Sequence, residues 1–306
     1  MTIRSRKQAD ANTALAEQID RTRRAWTGIG LVLPGIVWLL VFAIAPIGFL
    51  VCLSFWNSTP FGIGSEWSLD NYVTVLFEPL YSLLLLKTLR IAIVSTIVTL
   101  LISYPLAIFL SRLRGYTKSI FVVLVFLPFW TSYIVRTFVW LPMLGRTGAL
   151  NQLLISMGIL ERPIDWFLYN EGAVYLGLVY VYTLFMTLPI YLSLDKIDSS
   201  LIEAANDLGA TPVRTFWRVI LPLSSPGIWS GCVMVFLLSC GAFVTPQLLG
   251  GPSGIMFGNV IASQFLYANN WPLGATLSIM LMVVVLFSVF VAGQRLGLQQ
   301  IFFGEQ

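Results

Sequence analysis

The sequence feature that constrains the fold most is a run from Val219 to Gln294 that contains no charged residue. A second uncharged run extends from Ala25 to Ser65. The chain of 306 residues is 57% hydrophobic and 10% charged, whereas soluble domains carry roughly 25% charged residues. Because a membrane helix needs about 20 mostly apolar residues, these runs predict an all-α integral membrane protein.

Six apolar segments are long enough to cross a bilayer. Turn-forming sequences at 250–254 and 269–272 break the longer uncharged run, which is therefore expected to cross twice. The predicted spans are residues 29–53, 87–111, 119–141, 172–194, 226–248 and 273–294. They divide the chain into an N-terminal tail (1–25), a six-span domain (26–295) and a C-terminal tail (296–306).

Prolines occur in most of these spans, and each removes a backbone hydrogen bond and predicts a kink. Such kinks either act as hinges around a pathway or reflect packing geometry alone. The prolines are Pro34, Pro46, Pro105, Pro128, Pro189 and Pro246.

Basic residues are concentrated on one side of the predicted bundle. They lie in the N-terminal tail, in the loops after the second and fourth spans, and at Arg295. The opposite loops hold only Arg146 and Arg162, while Lys87 and Arg90 lie near a span end. The excess of Lys and Arg in cytoplasmic loops of membrane proteins therefore predicts that both termini and the loop at 195–225 are cytoplasmic. Loops 56–82, 142–170 and 249–272 are expected to face outward.

The cytoplasmic loop has the pattern of two short helices joined by a turn. Ser200 followed by Glu203 predicts a capping box at the start of the first helix. Gly209 stands where a helix C-terminus requires a positive φ. This hairpin is either an amphipathic linker on the membrane surface or a docking surface for a soluble partner. It is too weakly basic for a DNA-binding motif, so no nucleic-acid partner is expected.

The second helix of the hairpin is expected to begin at Thr211 as the cap, with Pro212 at its first position. An apolar face follows at helical spacing, and Leu221-Pro222 is expected to end the helix just before the fifth span. The apolar face consists of Val213, Phe216, Trp217 and Ile220.

The hairpin resembles the EAA loop of binding-protein-dependent ABC importer permeases. The resemblance is carried by Glu203-Ala204-Ala205, Gly209 and Leu221-Pro222, at the family's spacing and between spans four and five. Val219 replaces the isoleucine that the family usually has two positions before the leucine-proline pair. The resemblance covers about residues 30 to 295 and implies a type I importer permease of six transmembrane helices in a bacterial inner membrane.

Several stretches resemble the spermidine/putrescine branch of this family in particular. Related branches carry opines, phosphonates, iron, sulfate or thiamine, so a polyamine is the expected solute and an opine, phosphonate or other small organic solute the alternative. The stretches begin at Tyr104, Pro128, Val135, Gly177, Thr245 and Gly258.

The resemblance also implies partners and a mechanism. A soluble binding protein, periplasmic or extracellular, would deliver solute to the outward loops. This chain and a second permease subunit, expected to be a homologous but different chain, would form the pathway within the bilayer. Two cytoplasmic ATPase subunits would grip the EAA hairpins, with Glu203, Ala204, Ala205 and Gly209 as the coupling turn and residues 211–221 beside it.

No catalytic constellation is found in the sequence. The chain has no histidine, its three cysteines lie in apolar segments, and it lacks a GxxxxGK[ST] phosphate loop. The chain is therefore expected not to be an enzyme and to bind no metal or cofactor, with ATP and Mg held by partner subunits. An ion-coupled secondary transporter is the second alternative, although its usual intramembrane acidic residues are missing here.

Candidate pathway residues lie in the third and fourth spans. Arg136 is the only charge well inside a span, and such charges are costly and usually functional. It either extends to the outer surface, contacts another helix, or forms a gate or an anion contact. Aromatic side chains could attract a cationic solute by cation–π interactions, or simply pack. These aromatic residues are Phe129, Trp130, Tyr133, Tyr180 and Tyr182.

Overall fold

The computed structural model describes residues 32–59 and 62–295 of the chain. The predicted tails and the start of the first predicted span lie outside the described residues. The division into two tails and one membrane domain stays a prediction.

The described residues form thirteen helices and one β-hairpin. Most helices are continuous α-helix; α1 contains a π-helical turn at Leu40–Ile44, and α10 contains another at Phe216–Ile220. The helices are α1 (Val32–Ser54), α2 (Asp70–Phe77), α3 (Pro79–Arg112), α4 (Gly115–Phe126), α5 (Tyr133–Phe138), α6 (Trp140–Leu144), α7 (Ala149–Ser156), α8 (Glu171–Asp195), α9 (Ser199–Asp207), α10 (Pro212–Cys240), α11 (Val244–Leu249), α12 (Phe257–Leu266) and α13 (Trp271–Arg295).

Five of these helices are long and apolar enough to cross a membrane: α1, α3, α8, α10 and α13. A sixth crossing results if the two sharply bent segments Gly115–Trp130 and Tyr133–Ser156 count as one span. The mainly helical, multi-span architecture predicted from the uncharged runs is confirmed, in a form that differs from the prediction in the fifth span.

Helices α3, α8 and α10 pack against one another and form the centre of the bundle. Their buried side chains include Ile91 and Leu110 of α3, Met186 and Ile190 of α8, and Val235 of α10. Helices α8 and α10 approach closely because glycines of α10 lie at their contact, as is common in membrane bundles. The core is therefore built by three spans, and the remaining helices are arranged around it.

Helix α1 lies at the edge of the bundle and packs mainly on α13. The hydroxyl of Thr276 donates a hydrogen bond of 3.0 Å to the carbonyl of Ser54 and joins the two helices. Almost all other side chains of α1 are exposed. Such an apolar, exposed helix is expected to contact lipid or another membrane chain.

The third predicted span, residues 119–141, is sharply bent, in agreement with the kink predicted at Pro128. Helix α4 ends at Phe126, a 3-10 turn follows at Leu127–Trp130, and α5 begins at Tyr133. The two segments meet at 94°. Pro128 explains the break, because its ring clashes with the preceding turn and it lacks an N–H group.

The fifth predicted span, residues 226–248, has the wrong bounds. Its helix begins much earlier, at Pro212, and ends at Cys240, and Val244–Leu249 is a separate helix.

Unlike Pro128, Pro105 and Pro189 lie inside continuous helices and do not interrupt them. Neighbouring helices in a bundle can satisfy the carbonyls that a proline leaves free.

The end of the bundle that carries α2, α7 and α12 is called the far end, and the end that carries α9 is called the hairpin end. At the far end, Trp56–Thr59 and Gly62–Trp67 pair as antiparallel strands, so the prediction of an all-α chain misses one β-hairpin.

Predicted loop 249–272 contains helix α12 and is anchored to α3, since Phe257 N–H donates to the Thr88 hydroxyl at 2.8 Å.

Candidate coupling hairpin and substrate pathway

The turn of the hairpin between α9 and α10 is a glycine-capped helix end. Gly209 has φ +77°, which confirms the predicted positive φ. Its N–H donates to the carbonyl of Asn206 at 2.9 Å, and Ala210 N–H donates to the carbonyl of Ala205 at 3.0 Å. These two bonds satisfy carbonyls that the helix end leaves free and define a Schellman motif. The motif fixes the direction in which the chain leaves α9.

The start of α9 differs from the prediction. Asp198, not Ser200, is the N-cap, and its carboxylate accepts a hydrogen bond of 3.0 Å from Ser200 N–H. This hydrogen bond favours the charged form of the carboxyl group and lowers the pKa of Asp198. Ser200 is therefore inside the helix, and the predicted capping box with Glu203 is wrong. Asp is as good a cap as Ser, so composition alone could not choose between them.

The start of the second hairpin helix agrees with the prediction. The Thr211 hydroxyl accepts a hydrogen bond of 3.4 Å from Arg214 N–H, and Pro212 occupies the first helical turn. The end of this helix does not agree, because the chain continues through Leu221-Pro222 as helix α10. The π-helical turn at Phe216–Ile220 immediately precedes them, so Pro222 lies in the first turn of the next α-helical segment. The π-helical turn shifts the hydrogen-bond register just before Pro222, which has no N–H to donate.

The hairpin presents apolar and acidic side chains to solvent. Glu203 and Ala204 are exposed and Ala205 is half-buried. The side chain of Leu208 is 89% exposed. We call the exposed apolar side chains Leu201, Leu208, Val213 and Trp217 the hairpin patch.

The predicted apolar face of the second helix is divided between two environments. Val213 and Trp217 belong to the exposed hairpin patch. Phe216 lies edge-on to Tyr104 of α3 with the ring centroids 5.8 Å apart, and Ile220 packs on the central core. The hairpin is therefore attached to the bundle by one side and open on the other.

Three of the predicted pathway residues line a cavity of about 390 Å³ beside the break between α10 and α11. They are Tyr133, Arg136 and Tyr182. The Tyr133 hydroxyl lies 2.7 Å from the Thr245 hydroxyl, and the Tyr182 hydroxyl donates to the carbonyl of Leu238 at 3.1 Å. These bonds connect α5 and α8 to the two segments that flank the break.

The other predicted pathway residues lie elsewhere. Phe129 and Trp130 are exposed and line a cavity of about 500 Å³ between α4 and α8. Tyr180 lies edge-on to Trp140, with centroids 5.4 Å apart, and lines a third cavity of about 750 Å³ together with Arg136. The six residues thus do not converge on one site, and Arg136 is the one that two cavities share.

Residues 17–297 match the family of binding-protein-dependent transport system inner membrane components. The chain belongs to this family. It is a multi-pass inner-membrane permease rather than a catalytic subunit. Within residues 32–59 and 62–295, no group of three His, Cys, Asp or Glu side chains is arranged to hold a metal ion.

Two curated relatives cover most of the permease. The spermidine/putrescine transport system permease protein PotB of Haemophilus influenzae is 42% identical over 259 residues, which are 83% of this chain and 88% of that protein. The PotB protein of Escherichia coli is 38% identical over 249 residues, or 81% of this chain and 90% of that protein. These identities place the permease close to the branch that its sequence motifs resemble.

A solved structure shares the fold of the permease. It is the bacterial alginate ABC transporter in complex with an alginate pentasaccharide-bound periplasmic protein. The TM-score is 0.73 at 20% identity, with 90% of this chain and 95% of that chain covered. At this identity the likeness concerns the fold alone.

Asn259 is a buried polar residue of the permease that was not predicted from the sequence. Its side-chain oxygen accepts from Met256 N–H at 3.1 Å, and its amide donates to the carbonyl of Phe243 at 2.8 Å. A further bond of 3.2 Å reaches the side chain of Gln247. Asn259 therefore joins α12 to α11 beside the break in the fifth span. The sequence signal that could have identified Asn259 was its polar amide within a long uncharged run, where polar side chains are costly.

Proposed function

We propose that the chain is the transmembrane permease subunit of an ATP-driven, binding-protein-dependent importer, with six spans and both termini in the cytoplasm. The exposed hairpin patch supports this proposal most directly. Exposed apolar side chains such as Leu208 are costly in water and mark an interaction surface when they cluster. The excess of basic residues at the hairpin end supports a cytoplasmic position for that surface.

The cytoplasmic partners are two ATPase subunits that bind ATP and Mg, and each grips one EAA hairpin. Glu203, Ala204, Ala205 and Gly209 form the coupling turn, with residues 211–221 beside it. The small alanines permit close approach of a groove, and the fixed turn at Gly209 holds the patch in one orientation.

Helix α10 is the element through which the hairpin acts on the pathway. It extends from Pro212 to Cys240, 29 residues, or about 43 Å at 1.5 Å per residue. One end carries the hairpin patch, and the other end lies at the break beside the cavity of Tyr133 and Tyr182. Closure of the ATPase subunits would shift α10 as a rigid rod and change the shape of that cavity. ATP hydrolysis would then reset the permease.

The solute is a polyamine, spermidine or putrescine. The names of the two PotB relatives support this substrate. Within the described spans only Glu171 and Asp195 are acidic, and they stand at the two ends of α8. Within the spans, a cationic solute would therefore meet the faces of aromatic rings and no carboxylate. Selection of the solute is assigned to the binding protein, which docks on the outward loops at the far end.

Uptake by the reconstituted importer tests this function. Both permease subunits and the ATPase are reconstituted in liposomes, and the binding protein is added. Uptake of radiolabelled spermidine is then followed with and without ATP. We expect ATP-dependent uptake that unlabelled putrescine reduces and 2-aminoethylphosphonate or an opine does not. Uptake of the phosphonate or opine instead would transfer the assignment to those solutes. Uptake driven by a proton or sodium gradient without ATP would refute the importer.

A further inference from the structure

Arg136 is a buried arginine without a partner in the part of the chain that the structure describes. Its side chain is 8% exposed. Its Nε atom has no hydrogen-bond acceptor, and none of the ion pairs among the described residues includes it. Buried charges in membrane proteins are normally paired, because an unpaired charge in a medium of low polarity is costly. The structure of one chain therefore leaves the charge of Arg136 uncompensated.

The position of Arg136 argues against a lipid headgroup as its partner. Arg136 lines one cavity beside Val181 and Tyr182 of α8, about ten residues from Glu171, and a larger cavity that extends along α8 to Gly172. Ten helical residues span about 15 Å, or half of a hydrocarbon core about 30 Å thick, so the first cavity lies in the interior of the span. A cationic solute is excluded as a stable partner by its like charge.

The surface around Arg136 is apolar and exposed. Val135 and Phe138 on the same helix, and Phe243 in the same cavity, are all at least one-third exposed. A second chain that covers this surface would bring its own side chains to the cavity that holds the guanidinium. In that environment the group that best compensates arginine is a carboxylate, which accepts two parallel hydrogen bonds.

A second copy of this chain does not supply that group. The described spans carry carboxylates only at the two ends of α8, Glu171 and Asp195, and both are paired with basic residues of this chain. We propose that Arg136 forms an ion pair with an intramembrane carboxylate of the second permease subunit. The proposal rests on the proposed function, since it requires a second permease.

Arginine replacements in the complete importer test the pair. Arg136→Gln removes the charge, Arg136→Lys keeps it, and Arg90→Gln is the matched control. Arg90 pairs with Glu171 at the surface, where its side chain is 59% exposed, and such pairs contribute little. The readout is the amount of second permease that stays with the tagged chain during detergent washing. We expect about a tenfold loss for Arg136→Gln, because breaking a buried pair leaves a charge unpaired. Arg136→Lys should lose less, since it keeps the charge but not the two parallel hydrogen bonds, and Arg90→Gln should show nearly full retention.

Each aspartate and glutamate in the spans of the second permease is then changed to its amide, alone and combined with Arg136→Gln. We expect one of these changes to restore retention in the Arg136→Gln background, because the pair is then neutral on both sides. Retention unchanged by Arg136→Gln, or no restoration by any amide, would overturn the ion pair while leaving the importer intact. Purification of the wild-type chain with a second copy of itself would also overturn it. Absence of any second permease would refute the proposed function instead.

Discussion

Tyr104 of α3 lies edge-on to Phe216 of α10, with the ring centroids 5.8 Å apart. The Tyr104 hydroxyl is also 2.9 Å from the hydroxyl of Ser224 one turn beyond the π-helical segment. The two contacts join the base of the hairpin to the centre of the bundle. A displacement of the hairpin therefore moves α10 relative to α3 instead of bending a free loop.

Replacement of Gly209 by valine is expected to uncouple transport. A β-branched residue strongly disfavours a φ of +77°, so the turn would leave α9 in another direction. Membrane insertion should be retained, whereas ATP-driven spermidine uptake should fall by about tenfold or more. Gly209→Asn should retain most of the uptake, because the short polar side chain of asparagine makes the left-handed region accessible at low cost. The measurement is uptake per inserted permease in liposomes.

The matched control for Gly209 is Gly158 at the end of α7. Gly158 has φ +72°, and neither glycine has an atom within 4 Å of the position that a Cβ would occupy. Gly158→Val introduces the same backbone strain at the far end of the bundle. Equal loss of uptake in both valine variants would show that strain, and not coupling at the hairpin, causes the defect.

Leu208→Asp is expected to weaken binding of the ATPase without changing the fold. Its side chain is 89% exposed, so the substitution removes almost no packing inside the permease. The measurement is the amount of ATPase that co-purifies with the permease. Leu266→Asp, at an exposed position of α12 at the far end, should retain the ATPase. If Leu208→Asp retains the ATPase at the wild-type level, Leu208 is not part of the docking surface.

Gly227→Ala is expected to destabilise the bundle. A Cβ at this position would lie 2.4 Å from the carbonyl oxygen of Pro189 and 2.5 Å from Ser193 Oγ. Overpacking of this kind costs about 1–3 kcal/mol, so α8 and α10 must separate. We expect a lower thermal unfolding midpoint in detergent. Gly48→Ala on α1, with no atom within 4 Å of the added Cβ, should not lower the midpoint, because alanine is the better helix former. Equal midpoints for the two variants would contradict the contact.

The cap of α9 is expected to weaken at acidic pH. The pKa of Asp198 is lowered in the folded hairpin, so its stabilisation is present above the ordinary carboxyl pKa and is lost as the pH falls through the lowered value. The protection factors of amides 199–202, which compare their exchange rates with the intrinsic rates at the same pH, should fall on acidification in the wild type. In Asp198→Asn the cap remains but this pH dependence should disappear. If Asp198→Asn shows the same pH dependence, another titrating group causes it.

The parts of the fold that follow from composition were predictable, and the parts that depend on tertiary contacts were not. The uncharged runs predicted the long helices, and Gly209 and Thr211 predicted the hairpin turn, because these signals are local. Pro128 broke its span whereas Pro105 did not, and sequence alone gives both prolines the same propensity. The difference depends on which neighbouring groups satisfy the freed carbonyls.

The candidate pathway was predicted only in part for the same reason. Tyr133 and Tyr182 come from different helices and meet beside the break at Cys240–Val244, which no local pattern indicates. Trp130 fits the same aromatic pattern but lies on an exposed turn. Asn259 was missed because its partners, Phe243 and Gln247, belong to another helix.

The most direct measurement is purification of the tagged permease from its native membrane in mild detergent, with mass-spectrometric identification of the proteins that accompany it. We predict an ATPase subunit that is present in the wild type and lost in Leu208→Asp. Recovery of the permease without any ATPase, from membranes in which an active importer is shown by uptake, would contradict the docking role of the hairpin.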